Sequence, residues 1–110
     1  MFPDLSGSTE KSFQDLVIKI ARGHGWKVWH DHDSRRTEPG FPDLRFLRKP
    51  VFFMAELKTS KGKLSAAQSV VIADLRDSGQ TVYLWRPENI AEIYRLLTKG
   101  NKQCKTKDPQ

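Results

Sequence analysis

Three side chains in the stretch 40–59 have types and spacing that suit hydrolytic chemistry: Asp43, Glu56 and Lys58. Residues 51–59 are rich in Val, Phe, Met and Leu, which predicts a buried strand. Alternate side chains of a strand share a face, so Glu56 and Lys58 are predicted to project side by side from its end. An acid and a base on one face of an apolar strand indicate a functional site rather than ordinary core.

The donor atoms of these side chains suit the cleavage of phosphodiester bonds. Asp43 and Glu56 supply hard oxygen ligands of the kind that Mg²⁺ binds while keeping several of its waters, and we expect Mn²⁺ to substitute for it. Such a metal would acidify a bound water and offset charge on the phosphoryl oxygens. Lys58 would hold the attacking water or help to deprotonate it, and would stabilise the charge that develops.

The same residues carry a resemblance to a known family. Pro42-Asp43 followed by Glu56-Leu57-Lys58 resembles the signature of the PD-(D/E)XK nucleases. With its surroundings included, the pattern resembles the VRR-NUC branch of that superfamily, especially the small stand-alone forms found in bacteriophages. The similarity spans roughly residues 9–97 and includes residues 40–44, residues 55–59 and Gln68.

The resemblance implies a restriction-endonuclease-like core and a Mg²⁺-dependent DNA endonuclease. Stand-alone VRR-NUC proteins of similar size are homodimeric Holliday-junction resolvases, which implies structure-specific cleavage of four-way junctions by a homodimer. It also implies that Glu10 is a further metal ligand and that Gln68 faces the site, where its amide would orient Lys58 or the attacking water. The implied catalytic residues are Asp43, Glu56, Lys58 and Gln68, and the implied metal ligands are Glu10, Asp43 and Glu56.

Each of these residues also has a purely structural explanation. Asp43 would lie in a surface turn formed with the preceding proline. Glu56 and Lys58 would form an exposed pair at a strand edge, which contributes about 0–1 kcal/mol. Glu10 would favour the positive N-terminal end of a helix dipole. Gln68 stands at the capping-box position of a helix that Ser65 caps, so the helix alone explains it.

Length and composition predict one small basic domain. The 110 residues are 37% hydrophobic and carry a net charge of +6, with a pI of about 9.7. One core fits this length, and the basic balance favours a polyanionic partner, nucleic acid before membrane. A lone cysteine, Cys104, gives no disulfide framework. No apolar run approaches the ~18 residues of a membrane span, and residues 1–4 lack a signal-peptide pattern, so we expect a cytoplasmic protein.

The order of predicted elements, helix–strand–strand–strand–helix–strand–helix, indicates an α/β fold with a mixed four-stranded sheet. A short link between the second and third strands predicts an antiparallel hairpin. The second helix acts as a crossover, so the fourth strand is predicted to lie parallel to the third. The apolar side chains of that helix surround most of it and predict a well-buried element. Predicted strands cover 26–30, 43–47, 51–59 and 81–85, and predicted helices begin near residues 9, 65 and 87.

Three parts make up the predicted domain organisation: a flexible lead-in over 1–8, a nuclease-like domain over 9–97 and a flexible basic tail over 98–110. Guanidinium groups bind phosphate through two hydrogen bonds, whereas the ammonium groups of loop lysines interact with phosphate as point charges. Basic loop residues are therefore candidates for DNA contacts, although they would equally be solvated surface. These candidates are Arg35, Arg36, Lys61 and Lys63.

A zinc site is not expected. His and Asp alternate over 30–33, but the chain lacks a second His or Cys pair at zinc spacing.

Other functions fit the same sequence. A related enzyme would cut flaps or single strands, or would nick duplex DNA within a replication or packaging machine. From a different class, a nucleic-acid-binding module would keep the fold without catalysis. The presence of Asp43, Glu56 and Lys58 favours the enzyme.

Overall fold

The computed structural model describes residues 5, 7–31 and 39–107, with side chains as far as residue 99, and it contains the predicted order of elements. The helices are α1 (Glu10–Gly23), α2 (Ala66–Asp77) and α3 (Ile90–Lys107), and a 3-10 turn, Pro87–Asn89, precedes α3. The strands are β1 (Lys27–His30), β2 (Leu44–Arg48), β3 (Val51–Leu57) and β4 (Val82–Trp85).

The four strands form one mixed sheet in the order β1-β2-β3-β4. β1 and β3 each pair antiparallel with β2, and β4 pairs parallel with β3. The predicted hairpin and the predicted parallel crossover are both confirmed. A mixed four-stranded sheet with three helices is the α/β class that the sequence predicted.

Helix α1 begins where its capping residue predicts. Thr9 accepts a hydrogen bond from the backbone N–H of Ser12 at 3.0 Å, which satisfies one of the free donors of the first turn. Phe13, Val17 and Ala21 recur at helical spacing and are buried against the sheet.

The main core lies on the sheet face that α1 and α3 cover. Phe46 of β2 and Phe53 of β3 stack with ring centroids 4.7 Å apart, and Trp26 and Trp85 meet them edge to face. The indole N–H of Trp26 donates to the carbonyl of Leu97 at 2.9 Å, so its polar atom is satisfied. Aromatic pairs of this kind add about 0.5–1.5 kcal/mol beyond area burial.

The opposite sheet face is covered only in part, and here the prediction of a well-buried α2 is wrong. Only Ile72 of this helix is buried, against Met54 and Val82, whereas Val70 is 59% exposed. The reason is geometric. Apolar residues at consecutive positions project in different directions around the helix axis, and only one stripe of them can face a sheet.

Apolar side chains also remain exposed on the β1–β3 part of that face. Strand register places Trp29 opposite Arg45, and Leu47 lies between Lys27 and Phe52. Trp29 is 48% exposed and Phe52 is 44% exposed. We refer to Trp29, Leu47 and Phe52 as the uncovered half of the sheet.

The ends of the chain differ from the predicted boundaries. α3 extends to Lys107, whereas the sequence predicted that the helix would end near residue 97. Lys and Gln are good helix formers and the next proline is at position 109, and the helix continues even through Gly100 and Asn101, residue types that favour a helix end. Whether 98–110 is a flexible tail stays a prediction, and most of the lead-in 1–8 lies outside the described residues. Among residues 5, 7–31 and 39–107, no helix has the length and apolar character of a membrane span.

Candidate active site

Gly40 sets the path of the chain into the site. Its φ is +95°, a conformation that residues with a side chain rarely adopt, and a Cβ there would lie 2.6 Å from the carbonyl oxygen of Ala67. The backbone therefore passes directly against α2. Pro42 is fully buried just beyond and fixes its own φ. Together they place Asp43 at the entry to β2.

Glu56 is the centre of the site. Its side chain is 1% exposed, and Oε1 accepts a hydrogen bond from the backbone N–H of Asp43 at 3.2 Å. Oε2 accepts from the side-chain amide of Gln68 at 2.9 Å and lies 3.7 Å from Nζ of Lys58. The alternative of an exposed strand-edge pair is wrong, because Glu56 is buried and the Lys58 side chain is only 15% exposed.

Lys58 directly follows β3 and continues its ladder. Its backbone N–H donates to the carbonyl of Trp85 at 3.0 Å, which keeps the chain extended past the end of the strand. Alternation along the strand then sends Lys58 to the same face as Glu56, as predicted. The ammonium group thus lies beside the buried carboxylate.

Gln68 serves the helix and the site at once. The hydroxyl of Ser65 accepts from the backbone N–H of Gln68 at 3.1 Å, and Oε1 of Gln68 accepts from the backbone N–H of Ser65 at 2.8 Å, which is a complete capping box. The remaining side-chain group, the amide Nε2, donates to Glu56. The structural and the site contact use different atoms, so they do not compete.

Burial dominates the electrostatics of the carboxylates. Desolvation, together with the negative charge of Asp43, raises the pKa of Glu56 from its ordinary 4.5 to about 8, against a lowering by Lys58. Burial also raises the pKa of Asp43, although a backbone hydrogen bond from Leu57 and the charge of Lys58 act in the opposite direction. Asp43 and Glu56 together therefore retain a proton near neutral pH when no cation is bound.

Glu10 takes part in this cluster by charge. It is exposed in the first turn of α1, and partial desolvation followed by the charge of Asp43 raises its pKa. It also contributes to the raised pKa of Glu56. No three His, Cys, Asp or Glu side chains within the described residues are grouped closely enough to hold a metal together. The role of Glu10 as a direct ligand stays a prediction.

The arrangement of Asp43 and Glu56 fits a hard divalent cation. Oδ2 of Asp43 is buried and accepts no hydrogen bond from any described residue, which is costly for a carboxylate oxygen. A cation would satisfy this oxygen and offset the charge of Asp43, which now raises the pKa of Glu56. One or two carboxylates plus retained waters are the usual protein share of a Mg²⁺ site.

The surroundings of the site offer room and positive charge. A cleft of about 420 Å³ adjoins the first turn of α1 and is lined by Glu10, Lys11, Gln14, His30 and Asp31. Lys61 and Lys63 are exposed in the segment after Lys58, so their predicted role as DNA contacts stays a prediction. Arg35 and Arg36 lie outside the described residues, so their predicted contacts are untested, and so do two of the residues in the 30–33 run.

Two arginines support the site region and were not singled out from the sequence. The guanidinium of Arg45 pairs with Asp31 at 3.0 Å and lies over the ring of Phe41 at 5.6 Å. Arg86 donates to the carbonyls of Thr59 and Gly62. The one sequence signal for Arg86 was its place directly after the strand predicted to pair with β3.

Comparisons with known proteins leave the family open. No family model matches the sequence, so the resemblance to the VRR-NUC branch stays a prediction. No curated protein matches it either. The chain is similar to a solved structure of Hjc, a Holliday junction resolvase from the archaeal hyperthermophile Archaeoglobus fulgidus, with a TM-score of 0.47 and 19% identity. The match covers 70% of this chain and 67% of that chain. Neither fold nor function is inferred from a likeness at this level.

Proposed function

We propose that this protein is a Mg²⁺-dependent, structure-specific DNA endonuclease that resolves four-way (Holliday) junctions as a homodimer. The observation that carries the proposal is the buried carboxylate of Glu56, held between Asp43, Lys58 and Gln68. A buried acid beside a second acid with an unsatisfied oxygen is costly to stability. Function explains why such a cluster stands in an otherwise apolar strand end.

Asp43 and Glu56 would hold the cation, with Glu10 as a supporting ligand. The chemistry that Mg²⁺ supplies when bound is to make water more acidic and to offset charge on the phosphoryl oxygens. Lys58 would orient the attacking water, accept or pass on its proton and stabilise the charge of the transition state. Gln68 would keep the Glu56 carboxylate in one orientation, because its amide occupies Oε2 while the helix cap fixes its own rotamer.

Binding would rest on the DNA backbone rather than on base sequence. The net charge of +6 favours a polyanion, and Lys61 and Lys63 lie exposed close to the site. Phosphate contacts position a protein on DNA without reading its sequence, so shape would decide which DNA is cut.

The homodimer follows from the number of sites. One site cuts one strand, whereas a two-fold symmetric junction requires two symmetric cuts, which a two-fold dimer supplies. The uncovered half of the sheet supports this part of the proposal, because it offers Trp29 and Phe52 as exposed aromatic surface. Interface cores are enriched in such residues.

The decisive experiment is cleavage of a labelled four-way junction beside matched duplex, flap and single-stranded DNA, with and without Mg²⁺. Asp43→Asn removes the charge of a site carboxylate, and Asp15→Asn is the matched control, because Asp15 is an exposed residue paired with Lys11 on α1. Paired nicks on the junction, lost in Asp43→Asn and kept in Asp15→Asn, support the proposal. Cutting of flap or duplex instead keeps the nuclease and overturns the resolvase. Binding without metal-dependent cutting makes the protein a non-catalytic nucleic-acid-binding module.

A further inference from the structure

The turn that directly follows Lys58 is held by a guanidinium group from a distant part of the chain. In this turn, residues 59–62, the N–H of Gly62 donates to the carbonyl of Thr59 at 3.2 Å. Nη1 of Arg86 donates to the carbonyl of Thr59 at 2.8 Å and to the carbonyl of Gly62 at 2.6 Å. One nitrogen therefore binds both ends of the turn, which we call the Lys58 turn.

Strand pairing brings Arg86 to this place. β4 runs parallel to β3, with Leu57 opposite Trp85, so the residue after Trp85 lies beside the residues after Leu57. A second contact joins the same two segments, since the hydroxyl of Ser60 donates to Glu88 at 2.9 Å. The Lys58 turn is thus fixed to the end of β4 by side chains on both partners.

We propose that Arg86 is a positioning residue for the active site, and this inference rests on the proposed function. Lys58 has a backbone anchor on its N-terminal side, in β3, and the Lys58 turn is its anchor on the other side. Arg86 holds the turn, so that Nζ of Lys58 stays beside Glu56. Charge-assisted hydrogen bonds are about twice as strong as neutral ones.

The expected effect is on the rate of the chemical step. Arg86 makes no described contact with Asp43, Glu56 or Gln68, so it acts through the placement of Lys58. A displacement of about 1 Å in a catalytic group costs on the order of 100-fold in rate. We therefore expect Arg86→Ala to lower kcat about 100-fold with the Kd for DNA unchanged.

Two further variants separate positioning from stability. Arg86→Lys keeps the positive charge but loses the planar group that directs the two N–H bonds of Nη1 at the two carbonyls, and we expect a partial loss. Arg76→Ala is the matched control, because the Arg76 guanidinium also binds a carbonyl, that of Val82, at 3.0 and 2.7 Å, but at the opposite end of β4. The control removes a similar contact without touching the Lys58 turn.

The test measures single-turnover cleavage and DNA binding for all four proteins below their unfolding temperatures, together with amide hydrogen exchange. In Arg86→Ala we expect slower cleavage, and amide hydrogen exchange at Gly62 that is faster than in the wild type by about tenfold or more. In Arg76→Ala we expect neither change. Unchanged cleavage in Arg86→Ala overturns the inference, as does an equal loss of rate in Arg76→Ala. Weaker binding with normal kcat would make Arg86 a phosphate contact instead. If the wild-type protein binds but cuts no DNA, the proposed function fails, and the exchange at Gly62 alone decides whether Arg86 holds the turn.

Discussion

The side-chain amide of Gln68 donates to Oε2 of Glu56 at 2.9 Å while the carbonyl oxygen of the same side chain closes the capping box of α2 with Ser65. One residue, Gln68, therefore both caps helix α2 and contacts the candidate site. A change that removes either contact alone separates the two roles.

Gln68→Glu is the variant that keeps the helix cap and loses the site contact. Glutamate also serves in a capping box, but it has no amide donor and brings a negative charge next to Glu56. We expect the helix to keep its cap and cleavage of the junction to fall about 10- to 100-fold, while the lost hydrogen bond to buried Glu56 and the added charge also lower the unfolding temperature. Ser65→Ala does the reverse: it costs about 1 kcal/mol of stability through the lost cap and leaves cleavage close to wild type. Equal behaviour of the two variants would contradict this division.

Lys58→Ala is expected to abolish cleavage and leave junction binding nearly intact, because Lys58 would act on the transition state. Single-turnover cleavage and a binding titration measure the two quantities separately. The matched control is Lys19→Ala, an exposed lysine of α1 that has no proposed role in the site or in DNA binding. An equal loss of binding and cleavage in Lys58→Ala would show that Lys58 is only a phosphate clamp.

Much of this site was predictable, because strand periodicity and turn chemistry are local. Alternation alone put Glu56 and Lys58 on one face. Ser65 predicted the start of α2 to within a residue.

Other features depended on packing that no local pattern encodes. The apolar residues of α2 could not show that only Ile72 would meet the sheet, since this depends on where the helix crosses it. Arg86 contacts a residue 27 positions earlier, and only the register of β3 against β4 brings the two together. The dual use of Gln68 required knowing that Glu56 lies within reach of Nε2.

The metal-free protein is expected to lose stability as pH rises from about 4.5 to about 8. The pKa of Glu56 is raised in the folded state, so in this window the folded protein binds more protons than the unfolded chain, and stability falls with increasing pH. Each lost kcal/mol lowers Tm by about 4–8 °C in a domain of this size. Thermal unfolding across this range, without divalent cations, measures the slope.

Two comparisons check the origin of that slope. Glu56→Gln removes the titrating group and should flatten the dependence on pH. Mg²⁺ should raise Tm most at the alkaline end, because binding requires the deprotonated carboxylates. A slope that persists unchanged in Glu56→Gln would assign the effect to other groups.

Gly40→Ala is expected to impair the site through the backbone. The added Cβ would lie 2.6 Å from the Ala67 carbonyl oxygen and 2.9 Å from the Val71 side chain, in a conformation with positive φ. Strain of this kind costs on the order of 1–3 kcal/mol, so we expect a lower Tm and, in the remaining folded protein, slower cleavage through a shifted Asp43. Gly79→Ala is the control for positive φ alone, because nothing lies within 4 Å of its Cβ position. Equal losses in both variants would remove the close approach as the cause.

Self-association through the uncovered half of the sheet is expected to change the fluorescence of Trp29. Of the three tryptophans, Trp26 and Trp85 are 4% and 5% exposed, whereas Trp29 is 48% exposed. Emission should therefore shift to shorter wavelength as protein concentration rises and a dimer forms, and Trp29→Phe should lose the shift. Sedimentation measures the mass in the same samples.

Two other results of these measurements would change the proposal. A doubled mass with constant emission would keep the homodimer and place its interface elsewhere. A monomer mass at all concentrations would overturn the homodimer, and the cleavage panel would still decide whether the chain is a nuclease.

Because side chains alternate along β3, Glu56 disfavours an incorrect register of this strand during folding. Its neighbours Ala55 and Leu57 point into the main core, among residues such as Phe13 and Leu97. A slip of one residue against β2 would exchange the two faces and bury an unpaired carboxylate in that core. Such a state is heavily penalised, so the acid that we propose for catalysis also discriminates against misregistered sheets, and its replacement by an apolar residue would remove that discrimination.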